Sequence, residues 1–485
     1  MNNTKNAIVV GLGKSGLSAA EFLLQKGCSV VGVDDFIDKI KYKPEILRLE
    51  NLGLRIKKEL DFTDFTEKSL VIISPGIPPS HPAIALAKLH HAEILGELEL
   101  ACRHLKKHFC IGITGTNGKT TIAYQLAQAH YLLGQGAAYI GTIGQGNVID
   151  LKPLDNTTPD ALCLQKLLYQ YKEQNLKQVC MEVSSHALVQ HRVDAIAFDQ
   201  AIFTNLTLDH LDYHHNMENY AAAKAMLFAG DSLMCAIINQ DDEYQQIMAA
   251  AIKPHVKKLT YGMHQECDVK AVDWHMDING TEVDVRSPWG QHRLQIKALG
   301  AFNIYNSLAV FSSLLASGYA PEHIVAVMSQ LKAAPGRLEM VAQAPYVLVD
   351  YAHTPDALEN ALVTLGQLKK GNLWVVFGCG GDRDKTKRPV MGKIASLNAD
   401  RIVITSDNPR TEDPQTIVDE IAHGLTSSAQ VMQLINREEA IAYALKEADK
   451  DDIILIAGKG HEAYQQIGTV KHAFSDQAIV RRLKA

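Results

Sequence analysis

The chain has 485 residues, 47% of them apolar and 21% charged, with a formal net charge of −6. At roughly 150 residues per domain, that length exceeds one core and points to about three domains. The mild acidity argues against a general nucleic-acid binder, and no apolar run approaches the ~18 residues of a membrane span.

The first residues, Met1-Asn2-Asn3-Thr4-Lys5-Asn6, lack the basic-then-apolar plan of a signal peptide. Cys28, Cys102, Cys110, Cys163, Cys180, Cys235, Cys267 and Cys379 are scattered without a C-x-x-C pair. Free thiols in a reducing cytoplasm are therefore expected, and no structural zinc site.

Residues 1–107 read as a small α/β unit. Ala7–Val10 is a buried strand, followed by Gly11-Leu12-Gly13-Lys14-Ser15-Gly16 and a helix to Gln25; a second strand, Ser29–Val33, ends in Asp34-Asp35. This is the dinucleotide fingerprint, G-x-G-x-x-G between strand and helix with an acid about 20 residues on. Taken alone it points to NAD. The same turn also suits another phosphate ligand, or is a tight turn and no more. A further strand, Leu70–Ile73, runs into Ser74-Pro75-Gly76-Ile77-Pro78-Pro79.

Residues 108–333 carry the strongest motif. Phe109–Ile113 is a strand, Thr114-Gly115-Thr116-Asn117-Gly118-Lys119-Thr120-Thr121 a Gly-rich turn, and about 120–133 a helix. Such a turn holds a polyphosphate: backbone N–H groups face the anion, the lysine neutralises the outer phosphates and a threonine hydroxyl ligates Mg²⁺. Ile113 stands where the strict pattern has glycine. Further strands are expected at Ala137–Ile143, Gln178–Val183, Ala201–Leu206 and Met234–Asn239, then a hairpin around Asn279-Gly280 and helices at Asn303–Ser317 and Pro321–Leu331. Glu182 ends a buried strand, where a carboxylate is costly unless paired, so it is a candidate Mg²⁺ ligand. The run Thr204-Asn205-Leu206-Thr207-Leu208-Asp209-His210-Leu211-Asp212-Tyr213-His214 is dense in metal-capable groups, most of which also serve as caps or surface. Lys224, alone on a helix, reads as a solvated charge. Asn156-Thr157-Thr158-Pro159-Asp160 reads as a loop and helix start with proline near the first helical position.

Ala333-Ala334-Pro335-Gly336 punctuates the chain, and residues 334–485 form a third α/β unit. Strands at Tyr346–Asp350, Leu373–Phe377, Arg401–Ser406 and Ile453–Ala457 are each followed by a polar loop: Tyr351-Ala352-His353-Thr354, Gly378–Arg383, Asp407-Asn408-Pro409-Arg410 and Gly458–Glu462. Loops after strands of one parallel sheet share a rim, where such folds bind ligands. The fold class is thus three-domain α/β, with a Rossmann-like N-terminal domain, a central P-loop ATPase-type domain and a Rossmann-like C-terminal domain. The chemistry open to it is that of a kinase, a hydrolytic motor or an ATP-driven ligase.

On these residues the chain resembles the Mur ligases, cytoplasmic ATP-dependent enzymes that add amino acids to the peptidoglycan precursor. Thr114–Thr120 matches their variant of the phosphate loop, and the resemblance spans all three domains. Asn156–Pro159, Glu182-Val183-Ser184-Ser185-His186, Gln190 with Arg192, and Asp209–His214 look like the branch that adds the third residue. Asp407-Asn408-Pro409-Arg410 is similar to the form found where that residue is meso-diaminopimelate rather than L-lysine. An amino-acid head group needs an arginine for its carboxylate and an amide or acid for its ammonium.

The resemblance implies Arg383, Asp407, Asn408, Pro409, Arg410, Gly458 and Glu462 for diaminopimelate, and Ser15, Asn156, Thr157, Thr158, Ser184, Gln190 and Arg192 for the UDP-muramoyl-peptide. For ATP it implies Gly115, Thr116, Asn117, Gly118, Lys119, Thr120 and Thr121 with Asn303, Arg337, Asp350 and His353. Mg²⁺ falls to Thr120, Glu182, His210 and Lys224, the last as a CO₂-derived carbamate; Lys119, Lys224 and His210 carry the catalysis. Its partners are small molecules, with no nucleic acid and no membrane insertion, and the working unit is a monomer. One departure is visible: Gly11–Gly16, Ser74–Ile77 and Gly96-Glu97-Leu98-Glu99-Leu100 look more like the D-glutamate-adding members, in which this domain holds UDP. The D-glutamate-adding and L-lysine-adding reactions therefore stay as alternatives, with a folylpolyglutamate synthetase-like ligase more remote. An NAD-dependent dehydrogenase would leave Lys119 and the third domain idle.

Overall fold

A computed structural model of the chain describes residues 6–66, 69–74, 77–78, 80–96, 100, 108–154, 156–426 and 430–484. Pro75, Gly76, Pro79, Glu97-Leu98-Glu99 and the stretch 101–107 at the expected first boundary lie outside these residues. The architecture is α/β, with a separate sheet for each of the three expected domains. Two compact units contain them: Met1–His108 with Pro159–Lys177 and Val189–Ala197, and Phe109–Thr158 with Gln178–Leu188 and Phe198–Ala485. No helix among the described residues is long and apolar enough to cross a membrane.

The first unit holds a parallel sheet in the order Leu54–Lys57, Ser29–Val33, Asn6–Val10, Leu70–Ile73, Glu93–Gly96. Ile8, Val9 and Val10 are fully buried, as a strand covered on both faces requires. The glycine turn is sterically enforced: Gly11 has φ +89°, and a Cβ at Gly16 would overlap the Gly11 carbonyl. Asp34, the acid of the dinucleotide fingerprint, is already engaged. Its Oδ2 accepts from the Leu12 N–H at 2.7 Å and its Oδ1 from the Phe36 N–H at 2.9 Å, so it braces the turn. Helix Ala161–Glu173 also belongs to this unit. Asp160 caps it, accepting from the Cys163 N–H at 3.0 Å, and Pro159 precedes the cap. The expected helix start is present with proline just ahead of it: the Asp160 carboxylate takes the orphan N–H, and proline sets the chain's approach.

In the second unit a ten-stranded sheet has Phe109–Thr114 at its centre, flanked in parallel by Gln178–Glu182 and Phe198–Phe203. The chain runs from the central strand to one side and returns to the other, which opens a crevice at the strands' carboxyl ends. Val269–Asp277, Gly280–Ser287 and Gly290–Ile296 extend one edge as antiparallel hairpins, with the turn at Asn279-Gly280 as expected. Lys257–Gly262, an unexpected strand, opens with two exposed lysines that break its apolar signature. Helix Ala301–Ala316 packs its buried face, including Leu308, Phe311 and Leu314, into the core beneath the sheet.

The third sheet runs Glu339–Ala342, Tyr346–Asp350, Ile453–Ala457, Leu373–Phe377, Arg401–Ile404, Gln430–Gln433, parallel except for its first strand. Cys180, Cys235, Cys267 and Cys379 are free thiols, three of them buried.

His130, fully buried on helix Lys119–Leu132, meets the Tyr319 hydroxyl at 3.1 Å, and burial pushes its imidazole down from 6.5 to about 4. The folded chain therefore resists a proton that the unfolded chain accepts. This contribution is complete above pH 6.5 and is lost as pH falls towards 4, about 3 kcal/mol in all. Urea denaturation at pH 7 and pH 4 should show this loss in the wild type and a smaller one, by about 2–3 kcal/mol, in His130→Phe.

Candidate active site

The loop 114–119 joins the central strand to helix Lys119–Leu132, and its shape is held from the neighbouring strand's exit. The Thr116 N–H donates to the Asn205 carbonyl at 2.8 Å, the Asn117 N–H to Asn205 Oδ1 at 2.9 Å, and Thr204 Oγ1 to the Asn117 carbonyl at 2.6 Å. Gly118 has φ +86°, and a Cβ there would strike Asn306 Oδ1; a Cβ at Gly115 would strike Thr204 Oγ1. Both glycines thus permit close approach by the groups that clamp the loop. Lys119 Nζ donates to the carbonyls of Gly115 and Thr116, each at 2.8 Å, which keeps the ammonium at the loop. Burial lowers its pKa, Glu182 raises it and Arg337 lowers it again, so these three charges share one neighbourhood.

Glu182, 1% exposed, is the hub of the site. Its Oε2 accepts from Thr120 Oγ1 at 2.9 Å and Thr142 Oγ1 at 3.1 Å; its Oε1 accepts from the Thr142 N–H at 2.9 Å and from the Tyr139 hydroxyl. Thr158 Oγ1 donates to the Glu182 carbonyl at 2.8 Å and accepts from the Ser184 N–H at 3.0 Å, while Thr157 and Thr142 hydroxyls meet at 3.1 Å. Thr157, Thr158 and Ser184 therefore gather beside Glu182. A carboxylate and a threonine hydroxyl beside a phosphate loop are hard oxygen donors that fit Mg²⁺, which commonly takes one or two carboxylates and completes its shell with phosphate and water. Among the described residues no three His, Cys, Asp or Glu side chains form a metal cluster of their own.

Lys224 corrects the reading of a solvated helical charge. It is 1% exposed, its Nζ donates to the Gly115 carbonyl at 2.8 Å, and it lies over the Tyr220 ring at 4.3 Å. Burial, reinforced by Lys119, holds its pKa well below the usual lysine value. The helix Met217–Ala225 points it back at the loop rather than outward. His210 has φ +54° and contacts Asp209 at 3.5 Å; its ring meets those of His186 at 5.1 Å and Tyr220 at 5.9 Å. Burial lowers its pKa, and Asp209 opposes that shift. Lys119, Lys224 and His210 are thus brought around one loop.

On the third sheet the expected rim is present. Asn408 Nδ2 donates to Glu462 Oε2 at 2.9 Å, and Arg410 NH1 to the Gly381 carbonyl at 2.6 Å. A Cβ at Gly458, φ +110°, would lie 2.6 Å from Asp407 Oδ2, and the Pro409 carbonyl packs on Gly381. Arg383 is exposed at the edge of this rim. Arg388, fully buried, braces the loops from behind through Glu412 and Glu420; the Arg388 guanidinium holds the Glu412 carboxyl at about 2.

Of the residues expected around ATP, Arg337 NH2 reaches Thr120 Oγ1 at 3.5 Å and stacks on Tyr351 at 4.7 Å, with His353 against the same ring at 4.7 Å. Asp350 accepts the N–H groups of Leu338 and Ala352, and Asn303 donates to the Leu299 carbonyl; both are engaged in shaping their own segments. Ser15, Gln190 and Arg192 belong to the first unit, where Arg192 donates to Gln190. Asn156 is exposed. Missed by sequence reading were Asn306, the Thr204-Asn205 clamp, Tyr139, Tyr220 and Lys459. Only the position of Thr204-Asn205 at a strand's end signalled a role.

Gly118→Ala should weaken ATP binding at least tenfold, measured with a fluorescent analogue, and lower Tm by a few degrees. The left-handed backbone alone costs an L-residue about 1–2 kcal/mol, and Asn306 must also move.

Comparison with known proteins matches the geometry. Residues 5–96 fit the model "Mur ligase MurD-like, N-terminal domain", 113–314 the "Mur ligase middle domain" and 336–460 the "Mur ligase, glutamate ligase domain". The chain is 45% identical over 376 residues to UDP-N-acetylmuramoyl-L-alanyl-D-glutamate--2,6-diaminopimelate ligase of Neisseria meningitidis serogroup A, covering 76% of each chain. It is 46% identical over 377 residues to the same-named protein of Haemophilus influenzae strain 86-028NP, covering 76% of this chain and 77% of that one. A solved structure of a ligase of that name superposes with TM-score 0.66 at 35% identity, over 86% of this chain and 91% of that one. Folylpolyglutamate synthase of Mycobacterium tuberculosis, TM-score 0.61 at 17% identity over 74% of this chain and 89% of that one, shares the fold alone. With three family models matched along its length and relatives 45–46% identical over about three quarters of it, the chain belongs to the Mur ligase family.

Proposed function

We propose that the protein joins meso-2,6-diaminopimelate to UDP-N-acetylmuramoyl-L-alanyl-D-glutamate, with ATP giving ADP and phosphate, as a cytoplasmic step of peptidoglycan biosynthesis. The observation that carries this reading is the rim where Asn408, Arg410 and Glu462 lie together on the sheet that follows the phosphate-loop domain. Arginine, amide and carboxylate are the complement of an amino-acid head group, its carboxylate met by Arg410 with Arg383 and its ammonium by Glu462, which Asn408 holds in place. Relatives 45% and 46% identical that bear this activity in their names support it.

In this reading the domains span 1–107, 108–333 and 334–485, supported by the three separate sheets. The loop residues Gly115 to Thr121 hold the polyphosphate, with Asn303, Arg337, Asp350 and His353 framing the nucleotide. The turn Gly11–Gly16 with Ser15 takes UDP, and Asn156, Thr157, Thr158, Ser184, Gln190 and Arg192 the muramoyl-peptide. Lys119 and Arg337 hold positive charge where the γ-phosphoryl moves to the acceptor carboxylate, forming the acyl phosphate. The uncharged amine of diaminopimelate then attacks the acyl carbon, the C–N bond forms as the C–O bond to phosphate breaks, and phosphate leaves with the former carboxylate oxygen while the nitrogen gives up one proton. Mg²⁺, held by Thr120, Glu182 and His210, supplies charge neutralisation on the phosphates when bound.

Lys224 acts as a carbamate. Burial and Lys119 favour its uncharged amine, which forms an N–C bond to CO₂ and releases one proton, placing an anion beside the loop. That anion then serves as a further Mg²⁺ ligand. The working unit is taken as a monomer.

Phosphate release with ATP and UDP-muramoyl-Ala-Glu should require meso-diaminopimelate, with L-lysine at least a hundredfold poorer in kcat/KM. Preference for lysine would overturn the specificity. Turnover only with UDP-muramoyl-Ala and D-glutamate would move the assignment to the reaction that the N-terminal family model keeps in view. Lys224→Ala should lose at least a hundredfold in kcat and lack the carbamate resonance that ¹³C-bicarbonate produces in the wild type. Normal turnover by that variant would end the carbamate reading.

A further inference from the structure

The third domain contains a fully buried lysine that the reaction as described leaves idle. Lys459 is 0% exposed, and its Nζ lies 3.0 Å from Glu462 Oε2, 3.2 Å from Asn408 Oδ1 and 3.7 Å from Asp407 Oδ1. The Tyr464 ring closes its remaining side at 5.5 Å. We propose that Lys459 is the positioning residue of the acceptor site: it orients Asn408 and Glu462 and sets the site's charge to accept a single ligand ammonium. The inference rests on the function proposed above.

Two observations carry it. The first is orientation. Asn408 Oδ1 accepts from both Lys459 and the Gln466 N–H, the latter at 2.8 Å, so the amide can turn only its NH₂ end to Glu462 Oε2. Glu462 Oε2 in turn receives both Lys459 and Asn408, which assigns the other oxygen, Oε1, to the ligand's ammonium. The second is charge. Asp407 and Glu462 bring two carboxylates to Lys459 and Lys459 one ammonium, leaving these three groups with one net negative charge, apart from the Arg410 guanidinium that meets the ligand's carboxylate. Arg437, the next buried cation behind, is matched by Asp476 through two hydrogen bonds of 2.8 Å and does not alter that sum. Without Lys459 the corner would hold two uncompensated carboxylates, a state that draws in a proton or a stray cation in place of the ligand's ammonium.

The full-length enzyme tests this with Lys459→Met, which keeps the stem and removes the charge. KM for diaminopimelate should rise at least tenfold while KM for ATP and for the nucleotide-peptide stays within twofold. The double variant Lys459→Met/Asp407→Asn restores one net negative charge and should reverse at least a third of the rise in KM; if the single variant does not fold, the double variant's KM for diaminopimelate should lie within tenfold of wild type, and a larger rise would overturn the inference. An unchanged KM for diaminopimelate in folded Lys459→Met, an equal rise in all three KM values, or no recovery in the double variant would overturn the inference. Wild-type enzyme assayed with other amino acids separates the two readings. Turnover with a different acceptor would overturn the proposed substrate alone, and the Lys459 comparison would then be made on that acceptor.

Discussion

One buried carboxylate organises the catalytic half of this molecule. Glu182 ends the strand beside the phosphate-loop strand, and its oxygens accept from Thr120, Thr142 and Tyr139. Those donors come from three elements: the helix after the loop, the turn Thr142-Ile143 between two edge strands, and the strand Ala137–Gly141. Moving a carboxylate out of water costs several kcal/mol unless hydrogen bonds replace the lost hydration. The folded chain supplies them only when all three elements are in place. The same oxygens, freed from hydroxyl donors, are of the kind that suit a hard divalent cation.

Around that hub the chain concentrates positive charge. Lys119, Lys224 and Arg337 are close enough that Arg337 depresses Lys119, and Lys119 depresses Lys224. Cations held together in a partly dry site repel, and the arrangement is favourable only against an anion of comparable charge. A polyphosphate is one such anion. Lys224 is held there by the Gly115 carbonyl and the Tyr220 ring.

How legible this was depended on which forces left a one-dimensional trace. Strands covered on both faces were plain: Ser29–Val33, Tyr346–Asp350, Leu373–Phe377 and Ile453–Ala457 fall where apolar runs put them. Edge strands such as Gln430–Gln433 and the hairpin Tyr464–Ile467 with Val470–Ala473 were not, because half-wet strands carry no continuous apolar signature. The same divide runs through the site. The phosphate loop announces itself, since consecutive backbone groups make it. Lys224 and Lys459 look like any surface lysine, because what buries them is sequentially remote or lies on the opposite side of a turn. Asp34 errs the other way: its spacing fits a ribose ligand, yet both oxygens brace a backbone turn.

The joint between the second and third sheets shows most sharply what a punctuation mark in sequence hides. Ala333-Ala334-Pro335-Gly336 reads as a spacer, but Gly336 is packed: φ is +68°, and a Cβ there would collide with the backbone of Gly460 and His461. Its N–H donates to Glu339 Oε2 at 2.8 Å, and Gln477 donates to the same carboxylate oxygen at 3.1 Å and to the Gly460 carbonyl at 3.0 Å. The next residue, Arg337, reaches Thr120 of the phosphate-loop helix. Two consecutive residues of the joint thus touch both ends of the chemistry, the loop that carries Glu462 and the loop that holds phosphate. A shift at Gly336 would displace both together. For a reaction that must bring an amine to an acyl phosphate before water does, a packed joint that ties the two sites serves better than a flexible linker.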